Sequence, residues 1–404
     1  LALSGRPGPV VLSLPEDVLA EEADVPDAPP PVIEHAAPRP DDLARLAELL
    51  AVAERPLVVV GEGGWTEETG VDVLAFCEAN DLPVASAFRC QDFVDNRSRC
   101  YVGVLGVAMD ERLAAHLKDA DLVLAIGGRL GEVPTRRYTL VEPPRPRQTL
   151  IRVHPDPDEL ELVYEPDLAI ASSLPRFAAA LRDIDPLAPR WTDWARAARA
   201  DYEANLVHEP MEGPVDLGEI MAFLRRRLPP DAIQTSGAGN FTVWAHRFAE
   251  FTRYGTQLCP RSGSMGYGVA AAVAAKLVHP DRVVLCFTGD GDFVMSSPEL
   301  ATAVQHELPI VILLVNNGMY ATIRMHQERA FPGRVVGTDL VNPDFPTLAR
   351  AYGAHGERVA RTEDFEAAFE RALASGTPAV LELPVDPERI TPRVRLSELQ
   401  AAAG

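Results

Sequence analysis

Residues 283–320 read VVLCFTGDGDFVMSSPELATAVQHELPIVILLVNNGMY, and this stretch decides the fold. The apolar runs 283–288 and 309–316 have the length and the β-branched content of buried strands. Between them, Ser296 and Glu299 have the spacing of a capping box, and Pro298 suits a first helical turn. The segment therefore predicts a strand, a helix and a second strand parallel to the first.

The same alternation of strands and helices extends over most of the chain. Apolar strand patterns recur at 56–61, 82–86, 120–131 and 148–156, and again at 232–236, 256–259 and 378–385. Strands that alternate with helices indicate parallel sheets. We therefore predict an α/β fold with two doubly wound domains, a central Rossmann-like domain at 41–183 and a C-terminal domain at 214–390.

Two connecting segments separate these predicted units. Residues 23–40 are rich in proline, which favours an extended, semi-rigid linker. Residues 184–213 form a second predicted linker around a helical patch that contains Trp191 and Trp194. Residues 391–404 are assigned to a C-terminal tail.

The composition excludes several classes of function. The 404 residues carry a formal net charge of −21, which argues against binding of nucleic acid. No apolar run reaches the length of a membrane span, and the five cysteines lack metal-binding spacing. We expect a cytoplasmic enzyme with reduced thiols and with no nucleic-acid or membrane partner.

The predicted strand–helix–strand unit places two oxygen-bearing side chains at one edge of its sheet. Asp290 follows the first strand and Asn317 follows the second, and open α/β sheets bind ligands at that edge. A carboxylate, an amide oxygen and a backbone carbonyl suit Mg²⁺, which completes its octahedron with phosphate oxygens and water. Gly289 and Gly291 would let a diphosphate approach the backbone closely.

Three segments carry a resemblance to a known family. The chain from Gly5 to about Asp386 resembles the thiamine-diphosphate enzymes of the acetolactate synthase and 2-oxo-acid decarboxylase group, in GSMGYGVAAAVAAKL, in TGDGDFVMSSPELATAVQHELPIVILLVNNGMY and in GTPAVLEL. This resemblance implies that thiamine diphosphate and Mg²⁺ are the cofactors. It also implies that Asp290 and Asn317 bind the metal through their side chains, and that Met319 does so through its carbonyl.

The resemblance extends the predicted cofactor site to further residues. Met265 matches the bulky apolar residue on which the cofactor bends, although a methionine in the core is the alternative. The loop SGAGN matches the segment that holds the diphosphate. The remaining predicted contacts are Ser236, Gly237, Gly239, Asn240, Ser264, Asp292 and Tyr320, with Ser262 as a weaker candidate.

The resemblance also implies a domain that this sequence does not contain in full. Residues 1–22, with GRPGPVVLSLPEDV, resemble only the tail of the family's pyrimidine-binding α/β domain, which supplies the activating glutamate. The opening stretch predicts a loop that leads into a strand. We expect either a fragment of a longer protein or a separate chain that supplies this domain, in a homodimer or homotetramer with active sites between subunits. A non-catalytic, diphosphate-binding remnant is an alternative.

The identity of the substrate is less sharply predicted. The resemblance implies a carbon–carbon lyase or transferase that acts on 2-oxo acids, with acetolactate synthase as the closest type. Ile323 stands where decarboxylases that release an aldehyde carry an acid, and Arg324, His326 and Gln327 replace a tryptophan-containing stretch of acetolactate synthases. A decarboxylase or acyl transferase for another substrate, such as sulfoacetaldehyde or an aromatic 2-oxo acid, remains an alternative.

Two further candidates lie outside the diphosphate site. His326 is a candidate proton donor, although a solvated helix position explains it equally well. The glycine turns after two strands of the central domain, together with Arg129, are compatible with FAD, which acetolactate synthases carry there. Close packing of turns is the alternative explanation for those glycines.

Overall fold

The structure is a computed structural model that describes residues 2–3, 7–33 and 35–401. Parts of three predicted segments lie outside the described residues: residues 1 and 4–6 of the predicted tail, which include Gly5 and Arg6, then Glu34 of the linker, and residues 402–404 of the C-terminal tail. Residues 7–15 are irregular and exposed, and α1 (Glu16–Leu19) follows them. The strand predicted for this opening stretch is therefore wrong, because these residues pair with no other strand in the part that the structure describes.

The first domain consists of a six-stranded sheet covered by helices. Its strands are β1 (Pro56–Val60), β2 (Val84–Ala87), β3 (Tyr101–Leu105), β4 (Leu122–Ile126), β5 (Thr149–His154) and β6 (Leu168–Ala171). Its helices are α2 (Pro40–Val52), α3 (Glu67–Ala79), α4 (Glu111–Asp119), α5 (Leu174–Ala180) and α6 (Thr192–Asn205). The strands follow the order β3-β2-β1-β4-β5-β6, and all pairs are parallel.

Two of these strands were not predicted, and one predicted helical patch belongs to the domain and not to a linker. β3 contains Gly103 and β6 is only four residues long, so neither shows a long apolar run. Helix α6 lies inside the predicted linker, but it packs against the first domain. Trp191 is fully buried, and its indole Nε1 donates to the carbonyls of Asn80 and Asp81 at 3.0 and 3.1 Å.

The second domain repeats the architecture. Its strands are β7 (Ile233–Ser236), β8 (Gln257–Leu258), β9 (Val284–Gly289), β10 (Val311–Asn316), β11 (His355–Arg358) and β12 (Ala379–Pro384). Its helices are α7 (Leu217–Arg227), α8 (Thr242–Phe248), α9 (Tyr267–Val278), α10 (Asp290–Ser296), α11 (Glu299–Gln305), α12 (Ala321–Ala330), α13 (Phe345–Ala351) and α14 (Phe365–Ala374). A small hairpin, β13 (Arg389–Thr391) and β14 (Val394–Arg395), and helix α15 (Leu396–Ala401) complete the described chain.

The second sheet has the order β11-β12-β10-β9-β7-β8 and is parallel throughout. Its central strands are buried on both faces, as expected for a parallel sheet between two helical layers. Two doubly wound α/β domains are thus confirmed. Among the described helices, none combines the length and the apolar character needed to cross a bilayer.

The helical segment after β9 differs from the prediction. It consists of two short helices, α10 and α11, that are separated at Ser297 and Pro298. Ser296 is the last residue of α10, and its hydroxyl is buried without a hydrogen-bond partner. The predicted capping box is therefore wrong, because Ser296 does not occupy an N-cap. The GDG motif is likewise no turn, since β9 ends at Gly289 and α10 begins at Asp290.

A set of polar contacts joins the two domains, and we call this interface the seam. Asp92 Oδ2 accepts hydrogen bonds from the backbone amides of Gly255, Thr256 and Gln257 at 2.9, 3.1 and 3.1 Å. The amide side chains of Gln91 and Gln257 are also bonded to each other, at 3.1 Å. These contacts fix β8, the edge strand of the second sheet, against the first domain.

Candidate functional site

The candidate site lies where three neighbouring strands of the second sheet end. β9 pairs with β10, with Gly289 opposite Val315, and β9 also pairs with β7, with Phe287 opposite Ser236. The loop after β7, helix α10 after β9 and the turn after β10 therefore emerge together. The predicted adjacency of the two parallel strands that deliver Asp290 and Asn317 is confirmed.

These segments surround a cavity of about 230 Å³. The predicted site residues that line it are Gly239, Asn240, Met265, Gly289, Asp290, Gly291, Asp292, Asn317, Met319 and Tyr320. Ala238 of the predicted SGAGN loop and Ile323 also line it, and the lining residues that sequence reasoning missed are Phe241, Gly263, Val315, Ala321 and Thr322. Most of these residues are next to predicted residues in the sequence. The sequence indicated the loops but did not show how many residues of each loop reach the cavity.

Four predicted residues lie outside the lining. Ser236 is buried, and its hydroxyl lies 3.0 Å from the thiol of Cys259. Gly237 is a buried residue of the SGAGN loop. Ser264 is exposed, and its hydroxyl is bonded to that of Ser262 at 2.9 Å. His326 is exposed on α12. The structure therefore does not bring these four residues to the cavity wall.

Asp290 is a buried carboxylate with hydrogen-bond donors on both oxygens. Its Oδ1 accepts from the amide of Gly291 at 2.9 Å, and its Oδ2 accepts from the amide of Gly318 and from Asn342 Nδ2, each at 2.8 Å. Burial raises the pKa of Asp290 above its usual value, and these donors offset the increase only in part. A cation at this position would favour the ionised carboxylate.

The two asparagines at the end of β10 have different surroundings. Asn317 faces the cavity, and its Oδ1 accepts from the amide of Met319 at 3.3 Å. Asn316 points away, and its Nδ2 donates to the buried carboxylate of Glu382 at 2.8 Å. Its Oδ1 accepts from Asn342 Nδ2 at 2.9 Å, so Asn316 supports the side chain that contacts Asp290.

The glycines on both sides of Asp290 pack against two aromatic rings, a contact that the sequence did not predict. A Cβ on Gly289 would lie 2.7 Å from the ring of Phe241, and one on Gly291 would lie 2.4 Å from the ring of Tyr320. Two aromatic rings therefore occupy the space that the absent side chains leave. These glycines therefore accommodate the aromatic walls of the cavity, and the close approach of a diphosphate to them stays a prediction.

Asp292 holds the loops of the site together. Its carboxylate accepts from the Thr288 hydroxyl at 2.6 Å and from the amide of Gly266 at 2.6 Å, and it also accepts from the amide of Ala238. A Cβ on Gly237 would lie 1.9 Å from Asp292 Oδ2, so only glycine fits there. Burial raises the pKa of Asp292. This carboxylate therefore joins the loops at 238 and 266 to the end of β9.

Met265 lies on the loop between β8 and α9, at the cavity wall. Its side chain is 37% exposed, so it is not a residue of the core, which was the alternative explanation. Gly266 follows with a φ of 80°, a left-handed conformation that favours glycine, and it caps the start of α9.

The basic and histidine side chains near the cavity have other contacts. Arg324 is paired with the buried Glu328, with Nη2 2.8 Å from Oε1, and Arg329 is exposed. His246 is fully buried, and burial lowers its pKa to about 3, which makes it neutral. None of these side chains is in the cavity wall.

The charge of the cavity shows which ligand its residues fit. Of the described residues that line it, the only charged ones are two acids, Asp290 and Asp292. An anion would be repelled unless a cation neutralised these groups first. Carboxylate, amide and backbone carbonyl oxygens at one edge are a hard-oxygen set, and such a set suits Mg²⁺. The residues therefore fit a divalent cation that holds a diphosphate.

The first domain contains a larger cavity, of about 330 Å³, at the carboxyl ends of its strands. Two glycine turns meet there, and a Cβ on Gly127 would lie 2.6 Å from the carbonyls of Gly61 and Glu62. Arg129 is paired with Glu62 at 2.9 Å. Close packing of the two turns therefore explains these glycines without a flavin.

Comparisons with known proteins agree with this geometry. Residues 43–181 match the family described as thiamine pyrophosphate enzyme, central domain, and residues 237–383 match the thiamine pyrophosphate enzyme C-terminal TPP binding domain. The acetolactate synthase large subunit of Parasynechococcus marenigrum is 29% identical over 399 residues, which are 95% of this chain and 64% of that protein. This chain thus spans about two thirds of that relative.

Two further relatives come from distant organisms. The large subunit of Escherichia coli acetolactate synthase isozyme 2 is 27% identical over 398 residues, which cover 96% of this chain and 70% of that protein. The probable acetolactate synthase large subunit of Methanocaldococcus jannaschii is 27% identical over 428 residues, with 98% and 69% covered.

Proposed function

Because this chain belongs to the thiamine pyrophosphate enzymes through its central and C-terminal domains, we propose that it is part of a Mg²⁺-dependent lyase or transferase that acts on 2-oxo acids. The proposed reaction type is that of its relatives, the acetolactate synthases. The single observation that carries this proposal is the acidic cavity at the ends of β7, β9 and β10, with Asp290 and Asn317 in its wall.

In this proposal the residues of the chain bind and orient the cofactor. Asp290, Asn317 and the carbonyl of Met319 would hold Mg²⁺, and the loop at 238–240 would lie beside the diphosphate. Met265 would support the cofactor, and the rings of Phe241 and Tyr320 would limit the entry of water. When bound, thiamine diphosphate supplies a nucleophilic carbon and an electron sink for decarboxylation.

The wall of the cavity favours transfer to a second substrate over simple release of an aldehyde. Ile323 lines the cavity, and by the resemblance it stands where decarboxylases that release an aldehyde carry an acid for proton transfer. The neighbouring Thr322 donates its hydroxyl proton to Asn240 Oδ1 at 2.9 Å, so it is already engaged. The absence of an acid at position 323 supports a transferase, and a substrate screen would identify the 2-oxo acid and the acceptor.

We also propose that the mouth of the cavity is a subunit interface. Met265, Tyr267, Val294 and Met295 are exposed by 37 to 55% and lie on α9, on α10 and on the loop before α9. Such exposed apolar side chains next to a polar site indicate a partner surface. The partner proposed is a pyrimidine-binding domain that supplies the activating glutamate, either from a second subunit of a homodimer or homotetramer or from a separate chain.

The first test is binding. Titration calorimetry of the 404-residue chain with thiamine diphosphate is expected to show binding with Mg²⁺ and none with EDTA. Equal binding under both conditions would contradict the proposed metal bridge. Carbon dioxide release and product analysis over a panel of 2-oxo acids, with a complete pyrimidine-binding domain present, would then separate transferase from decarboxylase. Binding without turnover of any substrate would favour the non-catalytic alternative.

Flavin is not part of this proposal. The contacts of the central-domain glycines and the Arg129–Glu62 pair have a packing explanation, and no step of the proposed reaction needs a redox group. We expect purified protein without visible flavin absorbance. A yellow preparation that releases FAD on denaturation would assign the 330 Å³ cavity to that cofactor.

A further inference from the structure

Arg89, which belongs to the central domain, reaches across the seam to the loop that is proposed to hold the diphosphate. It follows β2, and its Nη2 donates to the carbonyl of Gly237 at 3.2 Å. The next residues of that loop, Ala238 to Asn240, line the cofactor cavity. A side chain of one domain thus contacts the backbone immediately beneath the cofactor site of the other.

The guanidinium of Arg89 is enclosed and is only partly bonded. The residue is 5% exposed, and its Nε and Nη1 are buried without a hydrogen-bond partner. The group lies over the ring of Phe88, with 4.7 Å from Cζ to the ring centroid. Desolvation of an incompletely paired charge is unfavourable. In the described structure, no carboxylate lies within ion-pair distance of this group.

The backbone of Arg89 is also in an uncommon conformation. Its φ is 60°, in the left-handed region that residues other than glycine rarely adopt. Strain of this kind persists where the surrounding structure imposes it, and it is concentrated at functional sites. Together, the strained backbone and the enclosed charge indicate that Arg89 has a role other than stabilising the fold.

The charges around Arg89 indicate what that role is. Asp292 is the nearby carboxylate whose negative charge attracts Arg89, and Asp292 also accepts a hydrogen bond from the amide of Ala238. The Gly237 carbonyl thus accepts from a cation, and the adjoining amide of Ala238 donates to an anion. A diphosphate bound on this loop would add negative charge near Arg89, whose Nε and Nη1 have no hydrogen-bond partner among the described residues.

We propose that Arg89 is a positioning residue for the diphosphate: its charge and its bond to Gly237 raise the affinity of the C-terminal domain for Mg²⁺–thiamine diphosphate. The inference rests on the proposed function of the cavity. It makes the central domain a contributor to cofactor affinity across the seam, although Arg89 does not line the cavity.

The test compares Arg89→Met and Arg89→Lys with the wild-type 404-residue chain. Met removes the charge with little change in length, and Lys retains the charge. We expect R89M to bind Mg²⁺–thiamine diphosphate about tenfold more weakly or worse, since charge-assisted interactions have that magnitude. R89K should stay within about threefold of wild type. Thiamine, which lacks the phosphates, should show little difference among the three proteins.

Thermal unfolding separates this role from simple packing. R89M should unfold at the same temperature as wild type or at a higher one, because an unpaired buried charge is removed. Arg97→Met is the matched control. Arg97 crosses the same seam to Glu250 at 2.6 Å but is exposed, so its loss should leave cofactor affinity unchanged.

Two results would overturn the inference. One is wild-type affinity in R89M, and the other is a parallel loss of affinity and stability in both R89M and R89K. If the wild-type chain itself does not bind Mg²⁺–thiamine diphosphate, the proposed function fails, and the inference that rests on it fails too. Binding by wild type with no effect of R89M refutes the inference alone.

Discussion

Asn342 Nδ2 donates a hydrogen bond of 2.8 Å to Asp290 Oδ2 across a separation of 52 positions in the chain. The same Nδ2 is bonded to Asn316 Oδ1 at 2.9 Å, and Asn316 is bonded to the buried Glu382. The predicted metal ligand is therefore oriented by side chains that do not touch the metal position themselves. Such outer contacts fix the direction of a ligand and tune its affinity.

Asn342→Ala is expected to weaken Mg²⁺ binding about tenfold to a hundredfold, because Asp290 loses the donor that orients it. The measurement is the Mg²⁺ dependence of thiamine diphosphate binding, followed by calorimetry. Asn205→Ala is the control, since Asn205 lies at the end of α6, away from the cavity. An unchanged Mg²⁺ affinity in N342A would show that Asn342 has only a packing role.

Asp290→Asn is expected to abolish Mg²⁺-dependent cofactor binding, by more than about a hundredfold, while the fold is retained. Asparagine keeps an oxygen that can accept from Gly318 and Asn342, but it removes the charge that attracts the cation. Asp290 is 3% exposed, so alanine would leave buried donors unpaired at a cost of about 1–3 kcal/mol, and asparagine is the cleaner variant. Asp281→Asn, on the exposed turn before β9, is the control. Retention of metal-dependent binding in D290N would refute the assignment.

Met265→Ala is expected to lower kcat in the assembled enzyme by more than it lowers cofactor affinity. The side chain supports the bend of the cofactor, whereas the metal and the diphosphate anchor it. Because Met265 is 37% exposed, its truncation should change the free energy of unfolding by no more than about 0.5 kcal/mol. Leu277→Ala, which is exposed on α9, serves as the control. Equal losses of kcat and affinity would indicate a packing role.

Asp92→Asn is expected to change how the stability of the chain depends on pH. Burial raises the pKa of Asp92 to about 6, so the folded protein holds this proton at a pH where the unfolded chain releases it. The stabilisation from Asp92 is therefore present below about pH 4 and is lost as the pH rises through about 6.

Comparing wild type with D92N separates the contribution of Asp92 to stability from that of the other carboxylates. Relative to wild type, D92N should gain stability with rising pH, by up to about 3 kcal/mol between pH 4 and pH 7. Urea unfolding at several pH values measures this difference. A constant difference across that range would mean that Asp92 titrates normally in the folded state.

The location of the site could be predicted from the sequence because it follows from topology. Two buried strands joined by a helix must lie parallel, so Asp290 and Asn317 had to emerge at one edge. The roles of Gly289 and Gly291 could not be predicted in the same way. The rings that require them belong to Phe241 and Tyr320, and ring packing leaves no local pattern in the sequence.

Other parts of the site depend on contacts between distant segments. Ser296 and Glu299 have the spacing of a capping box, but the helix is interrupted between α10 and α11, so the capping box does not form. Asn342 lies in an irregular segment before α13, where nothing in the sequence marks it as a partner of Asp290. Arg89 contacts Gly237 only because the two domains pack against each other.

The seam also limits how this protein could be re-engineered. If the C-terminal domain were separated near residue 213, the amides of Gly255, Thr256 and Gln257 would lose their hydrogen-bond acceptor, the carboxylate of Asp92. These amides lie at the edge strand next to the Met265 loop. Chimeras that exchange central domains among relatives would therefore need to transplant the 89–96 segment together with its acceptor loop. A C-terminal domain recombined without that segment would have unpaired backbone amides at the edge strand beside its own cofactor cavity.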